Sequence, residues 1–198
     1  MISFPDNLVL ENERVLLRPL EQRDLKHLLP FAIHEPGIWP YAWVSPAGQK
    51  GMEQYVQSAL EQKQAKKEFP FIIFDKAANA YAGSSRFYDI QLTYLTTQLG
   101  YTWYGKKFQR TGLNRHCKWL LLSYAFETWG MERVEFRADL RNERSITAMK
   151  AIGCVEEGIL RKNLPLEDGG RRDSIVLSVL KEEWFGGVRD HLRAKIYS

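Results

Sequence analysis

The sequence predicts an α/β fold built around one mixed sheet. Two kinds of segment support this: short stretches in which apolar and polar residues alternate, as in strands, and longer stretches with the apolar spacing of amphipathic helices. In chain order they give β-α-α-β-β-β-α-β-α-β-β. Because strands and helices are mixed along the chain, we expect helices layered on a sheet. A chain of 198 residues can bury one substantial core, so we expect a single domain over residues 1–198.

The first half of the chain predicts a strand, two helices and then a group of strands. Residues 13–20 alternate before a proline and predict a strand. Residues 21–32 and 47–67 have helical spacing, and residues 35–46 between them carry three prolines and two tryptophans, which predicts a loop. The strands that follow are separated by turn residues and should form an antiparallel meander: residues 69–75, 80–90 and 98–104.

The second half predicts helices and strands in alternation. One helix begins at Leu113, where apolar residues start to recur along a single stripe, and Gly130 ends it. The remaining elements follow from the same two periodicities: a strand over 133–140, a helix over 143–153, a strand over 154–161, a Gly-rich hairpin turn over 166–173, a strand over 174–180 and a terminal helix over 181–196.

Composition and residue spacing argue against several classes of protein. The chain has 44% hydrophobic and 26% charged residues, and its start lacks an apolar core with a cleavage site, so we expect a cytoplasmic location and no membrane partner. Neither of its two cysteines belongs to a C-x-x-C pair and its four histidines are scattered, so no metal site is expected. The net charge of +4 suits an anionic ligand, but the basic residues are spread along the whole chain, so no nucleic-acid partner is expected.

A basic loop, residues 108–114, lies where a predicted strand gives way to a predicted helix. The unpaired N–H groups of a first helical turn point out of such a loop, with the positive end of the helix dipole behind them, so the loop is an anion site in principle. Gly112 would let a ligand approach the backbone closely. Taken alone, the segment favours a plain strand-to-helix turn that carries solvated charges.

A second segment narrows this interpretation. Asn142 begins the stretch "NERSITAMKAIGCVEEG", and by itself an asparagine in this place predicts a helix N-cap. Taken with "KKFQRTGLN" at residues 106–114, however, the stretch resembles the GCN5-related N-acetyltransferase (GNAT) superfamily, and within it the relatives of the ribosomal-protein acetyltransferases RimJ and RimL. The resemblance covers nearly the whole chain. It implies a mixed, mostly antiparallel central sheet with a splayed strand pair and helices on both faces.

The resemblance also implies an activity and a cofactor site. Members of the family move an acetyl group from acetyl-CoA (coenzyme A) to a primary amine, on a protein N-terminus or a small molecule, by direct attack. In the family, the loop holds the pyrophosphate of coenzyme A, and the pantetheine arm of the coenzyme lies between the splayed strands. The implied cofactor-binding residues are Tyr101, Thr102 and Trp103 on the strand, Gln109, Arg110, Thr111, Gly112, Leu113 and Asn114 in the loop, and Asn142 beyond it.

Two residues depart from the usual pattern of the family. Asn114 stands where the loop usually ends in a small residue, and its side chain takes room near the phosphates. Met149 stands where many members carry a tyrosine that protonates the leaving thiolate. This chain therefore cannot use that tyrosine.

Three polar residues are candidates for the proton transfers. Ser145 could hydrogen-bond or protonate the leaving thiolate, since related members carry serine three residues after the asparagine; helix capping is the alternative role. Glu135 and Asp139 alternate away from apolar neighbours on a predicted strand, so either could serve as a base through water. For both carboxylates, the alternatives are an exposed sheet face or a structural ion pair.

The acceptor side of the site is the least defined. Trp39, Tyr41 and Trp43 in the predicted loop could wall an acceptor pocket, and they could equally be packing anchors. The sequence does not choose among acceptor amines. A homodimer is an expectation at the level of the family. A non-catalytic acyl-CoA-binding module is the alternative function, because the sequence contains no unambiguous acid or base.

Overall fold

Eight strands form one sheet in the computed structural model, which describes residues 5–42, 44–166 and 169–197. The strands are β1 (Leu10–Glu11), β2 (Val15–Pro19), β3 (Phe69–Asp75), β4 (Ala80–Gln91), β5 (Thr96–Tyr104), β6 (Arg133–Asp139), β7 (Val155–Pro165) and β8 (Arg171–Leu180). Their order across the sheet follows the chain, except that β8 lies between β6 and β7. Neighbouring strands are antiparallel apart from β5 and β6, which are parallel. The predicted mixed, mostly antiparallel sheet is confirmed.

Helices cover both faces of this sheet, as predicted. They are α1 (Leu25–His34), α2 (Gly48–Gln64), α3 (Leu113–Ser123), α4 (Glu143–Ala151), α5 (Lys181–Glu183) and α6 (Arg189–Tyr197). Successive residues of a strand point to opposite faces, and β3 shows which helices lie on each. Phe71 and Ile73 join the larger apolar core, with α3, α4 and α6, whereas Ile72 joins a smaller core with α1 and α2.

Three local features differ from the expected elements. A two-residue strand, β1, precedes β2 and was not expected, because so short a segment has no readable periodicity. The helix α3 continues into a π-helical turn at Tyr124–Thr128 before Gly130, at φ 68°, ends it. The terminal helix is broken between α5 and α6 at Gly187, whose φ of 149° a helix cannot hold. In the predicted hairpin turn, residues 167 and 168 lie outside the described residues.

The parallel strands β5 and β6 separate after three residue pairs. They pair from Thr96 with Arg133 to Gln98 with Glu135 and no further, although β6 continues along β8 to Asp139. The cause lies in β5, where an extra residue relative to β4 makes a bulge at Tyr101, which has φ 49°. A bulge bends its strand away from the neighbouring one. The gap between residues 99–104 of β5 and 136–139 of β6, called the wedge below, is the predicted splayed pair.

Groups able to bind a metal are dispersed over the structure. Cys117 and Cys154 are buried free thiols, the His27 ring contacts that of Tyr81, and His116 contacts Asn12. Within the described ranges, no group of three or more histidine, cysteine, aspartate or glutamate residues is placed to hold a metal ion. No helix within those ranges combines the length and the apolar character needed to span a membrane.

Candidate functional site

The loop between β5 and α3 is shaped by its own side chains and by two left-handed residues. A 3-10 turn at Lys106–Phe108 comes first, and then Arg110 and Gly112 turn the chain into the helix with φ angles of 62° and 85°. Thr111 Oγ1 donates to the Phe108 carbonyl at 2.8 Å, and Gln109 Nε2 donates to the Tyr104 carbonyl at 2.7 Å. These bonds hold the loop against the end of β5 without using its backbone N–H groups.

The loop presents unpaired backbone donors to open space. In the part of the chain that the structure describes, the N–H groups of Arg110, Thr111, Gly112 and Asn114 have no hydrogen-bond acceptor. A Cβ atom built on Gly112 would meet no atom within 4 Å. Unpaired donors at the N-terminus of an 11-residue helix, next to open space, suit a phosphate group.

Asn114, the departure from the family's loop pattern, has a partner inside the protein. Its Oδ1 accepts a hydrogen bond from the Tyr104 hydroxyl at 3.1 Å. Tyr104 is buried, and burial raises the pKa of its phenol, so a neutral hydroxyl stays available as the donor. The asparagine side chain is therefore held toward the end of β5, where it satisfies a buried polar group.

Arg144 is a basic residue of this site that the sequence did not single out. Its Nη1 donates to Gln109 Oε1 at 2.9 Å, which ties the first turn of α4 to the loop. Neither residue's hydrogen bonds can be read from helical or strand periodicity. A signal was present in the "NERS" stretch, where an arginine lies two residues after Asn142.

The three predicted residues of β5 point to both faces of the sheet. Trp103 is buried on the α1 side, with its ring centroid 5.0 Å from that of Trp39. Tyr101 lies on the same side and is 43% exposed, so its ring remains accessible next to the bulge. Thr102 points to the α3 side, where its Oγ1 accepts a hydrogen bond from Lys118 Nζ at 2.9 Å. Together these residues form one wall of the wedge.

Asn142 and Ser145 meet at the start of α4. Asn142 Oδ1 accepts from the Ser145 backbone N–H at 3.1 Å, which is the N-cap geometry that asparagine alone predicted. Among the described residues, neither Asn142 Nδ2 nor Ser145 Oγ has a hydrogen-bond partner. The cap therefore leaves the NH2 group of Asn142 and the hydroxyl of Ser145 available to a ligand.

Glu135 and Asp139 both lie in ion pairs. Glu135 is held by Arg133 Nη2 at 2.8 Å and by Arg137 Nε at 2.6 Å. Asp139 accepts three hydrogen bonds from Arg141, through its backbone N, its Nε and its Nη2, and these bonds lower the pKa of the carboxyl. Because a base must take up a proton, the lowered pKa weakens Asp139 for that role, while the Glu135 carboxylate is engaged by two arginines.

The aromatic loop divides between packing and surface positions. Trp39 is buried against Trp103. Tyr41 is 36% exposed; its carbonyl accepts from Arg172 Nη1 at 3.4 Å, and its ring lies 6.0 Å from the guanidinium carbon of Arg141. Trp43 lies outside the described residues. Of the three aromatic residues, Trp39 thus serves as a packing anchor, while Tyr41 joins the loop to the strands beyond the wedge.

Comparison with known proteins fits this geometry. A family model described as the acetyltransferase (GNAT) domain matches residues 14–155. "Putative ribosomal N-acetyltransferase YdaF" of Bacillus subtilis (strain 168) is 26% identical over 182 residues, which cover 88% of this chain and 96% of that protein. A solved "putative acetyltransferase" from T. thermophilus is 34% identical, with a TM-score of 0.87 over 100% of both chains.

A GCN5-related N-acetyltransferase from Brucella melitensis has the same fold at 23% identity, with a TM-score of 0.87 over 98% of this chain and 87% of that one. The family model matches more than half of the chain. This match agrees with the two structural features of the site, the wedge and the loop with unpaired donors. The chain belongs to the GNAT family and is an N-acetyltransferase.

Proposed function

We propose that this enzyme transfers the acetyl group of acetyl-CoA to the α-amino group of a protein or peptide. The observation that carries the proposal is the wedge, which opens directly into a loop whose backbone N–H groups at Arg110, Thr111 and Gly112 have no acceptor among the described residues. Such a groove with a donor-lined end suits a long ligand that ends in phosphates. Acetyl-CoA supplies an acyl group already activated as a thioester.

The residues of the chain divide the binding work by position. The loop residues Gln109–Asn114 would hold the pyrophosphate through backbone donors, with Arg144 adding positive charge from α4. The β5 residues 101–103 would line the pantetheine arm, and the free amide donor of Asn142 would bond it from the opposite side. A backbone N–H of β5 near Trp103 is our candidate donor to the reacting carbonyl oxygen.

The paired carboxylates favour an acceptor that needs little help from a base. An α-amino group titrates near 7.7 to 8.0 and a lysine side chain near 10.4, so at pH 7 roughly a tenth of the former is neutral, against less than about a thousandth of the latter. With such an acceptor, no direct base is required. Glu135 and Asp139, each paired with arginine, would need only to take up the proton of the amine through an intervening water. Ser145, with its hydroxyl unpartnered in the described ranges, is the candidate to hydrogen-bond the leaving sulfur.

The Bacillus relative is named a ribosomal N-acetyltransferase, which supports a protein acceptor here. A small-molecule amine is the competing acceptor class. The single domain, the homodimer and the cytoplasmic location stay predictions.

An acceptor panel with mass-spectrometric detection tests this function. The purified chain is incubated with acetyl-CoA and peptides that offer a free α-amine, a blocked α-amine with a free lysine, or a small polyamine. We expect the mass of one acetyl group to be added to the free α-amine peptides at a rate that rises between pH 6 and 8, as the amine loses its proton. Tight binding of coenzyme A without turnover on any amine would instead identify an acyl-CoA-binding module.

A further inference from the structure

A buried lysine lies between the two walls of the wedge. Lys118, on α3, is 5% exposed. Its Nζ lies 2.9 Å from Thr102 Oγ1 on β5 and 5.4 Å from the centroid of the Phe136 ring on β6. The pairing of β5 with β6 stops at Gln98 and Glu135, before Thr102 on β5 and Phe136 on β6. The ammonium therefore reaches both separated strands from the α3 side.

This ammonium has unused hydrogen-bonding capacity. An ammonium carries three donors, and Thr102 Oγ1, which also lies 2.8 Å from Ser85 Oγ, is its only acceptor in the described part of the chain. No carboxylate within those ranges forms an ion pair with Lys118. A buried cation with spare donors and no counter-ion is costly, so the position suits a ligand that brings negative charge.

The titratable groups that face Lys118 do not neutralise it. They are the thiols of Cys117, its neighbour on α3, and Cys154, just before β7; burial raises the pKa of each to about 12. The Tyr104 hydroxyl, which faces Cys117 from β5, also keeps its proton and is bonded to Asn114. All three groups are neutral at pH 7, so they leave the charge of the ammonium uncompensated.

We propose that Lys118 stabilises the sulfur of coenzyme A as it leaves and gives it a proton. This inference rests on the proposed function. The amine nitrogen forms a bond to the carbonyl carbon, the C–S bond breaks with its electron pair going to sulfur, and the ammonium of Lys118 transfers one proton to that sulfur. The proton lost by the attacking amine passes to solvent, and solvent then returns a proton to Lys118.

Two further observations agree with this role. Desolvation lowers the pKa of Lys118 to about 8, close to the value of about 8.5 for a free thiol, so a proton can move between them at little cost. Met149 is buried in the larger core and has no proton to give, so α4 offers no acid at that position. Lys118 supplies an acid from a different helix.

The titration of bound coenzyme A gives a readout that is independent of turnover. The thiolate of coenzyme A absorbs in the ultraviolet, and subtracting the spectrum of the complex with desulfo-coenzyme A isolates its signal. Cys117 and Cys154 will not interfere, because burial raises the pKa of their thiols to about 12. We expect the pKa of the bound thiol to fall by about one unit or more in the wild type and to return to its free value in Lys118→Met.

Activity gives the second readout. With an α-amine peptide, the wild-type kcat should follow a bell-shaped pH profile that falls above about pH 8, as Lys118 loses its proton. In Lys118→Met, kcat should fall about a hundredfold and the alkaline limb should disappear, whereas Ser145→Ala should keep that limb.

The outcomes separate this inference from the proposed function. Coenzyme A that binds to the wild type with an unshifted thiol pKa would overturn the role of Lys118, even if Lys118→Met failed to fold. An unchanged kcat and pH profile in Lys118→Met would overturn it as well. Failure of the wild type to bind coenzyme A at all would contradict the proposed function itself.

Discussion

Replacing Lys118 with methionine is expected to raise the free energy of unfolding by about 3 kcal/mol at pH 7. Burial lowers the pKa of the ammonium from its ordinary value near 10.5 to about 8. Each pKa unit of that shift corresponds to about 1.4 kcal/mol of folding free energy. The folded wild type bears this penalty in full below about pH 8. Methionine has a similar length and no charge, so it removes the penalty and leaves the space filled.

The pH dependence of this gain has a defined sign. The folded-state pKa is depressed, so above pH 8 the folded protein binds fewer protons than the unfolded chain, and the stability that wild-type Lys118 costs is progressively recovered. The advantage of Lys118→Met should therefore narrow by about 1 kcal/mol between pH 7 and pH 9. Urea unfolding of both proteins at the two pH values measures it.

Lys195 provides a matched control for removing an ammonium. Its Nζ donates to the Ala151 carbonyl at 2.7 Å in a partly exposed position, so Lys195→Met should destabilise the protein by about 1 kcal/mol or less. If Lys118→Met destabilised the fold by several kcal/mol, the lysine would be a structural residue. If Lys118→Met is both more stable and much less active, then Lys118 lowers the stability of the wild type and is needed for its activity.

Substituting alanine for Gly83 is expected to cost about 3 kcal/mol of stability or more. A Cβ atom on this residue of β4 would lie 2.0 Å from the Trp103 carbonyl oxygen and 2.9 Å from its carbon. Both are backbone atoms, so β5 itself must move. Because Trp103 lies on a wall of the wedge, acetyl-CoA should also bind more weakly. Thermal unfolding and calorimetric titration measure the two effects.

Gly158→Ala is the control that distinguishes the effect of this steric clash from that of backbone strain. Its φ of 155° nearly equals the 157° of Gly83, but a Cβ atom there would meet nothing within 4 Å. We expect Gly158→Ala to lose much less stability than Gly83→Ala and to bind acetyl-CoA as the wild type does. Equal losses in the two variants would mean that close packing against Trp103 does not set the position of β5.

The sheet and the main helices were predictable because their periodicities extend over many residues. The stripe that begins at Leu113 predicted α3, and the alternation in residues 133–140 predicted β6. The breaks at Gly187 and the π-helical turn at Tyr124–Thr128 were not predictable in the same way, since each depends on how the helix packs. The wedge itself entered only through the resemblance to a family.

The polar part of the site was less predictable than the fold. Arg133, Glu135 and Arg137 alternate along β6, so they share a face, and their pairing follows from that spacing. Lys118 is different, because a lysine next to an apolar stripe normally reaches solvent. Its buried ammonium contacts β5 beyond the point where β5 separates from β6, and no local pattern records that separation.

The most direct measurement compares the acetyl-CoA affinity of Gly112→Ala with that of Gly130→Ala by calorimetry. Both glycines have left-handed backbones, with φ of 85° and 68°, and a Cβ atom on either would meet no protein atom within 4 Å. We therefore expect each variant to lose a similar amount of stability, roughly 1 to 2 kcal/mol. If the loop at Gly112 holds the pyrophosphate, Gly112→Ala should bind acetyl-CoA about tenfold more weakly or worse, and Gly130→Ala should bind it as the wild type does. Wild-type affinity in Gly112→Ala would place the coenzyme elsewhere and contradict the assignment of the loop.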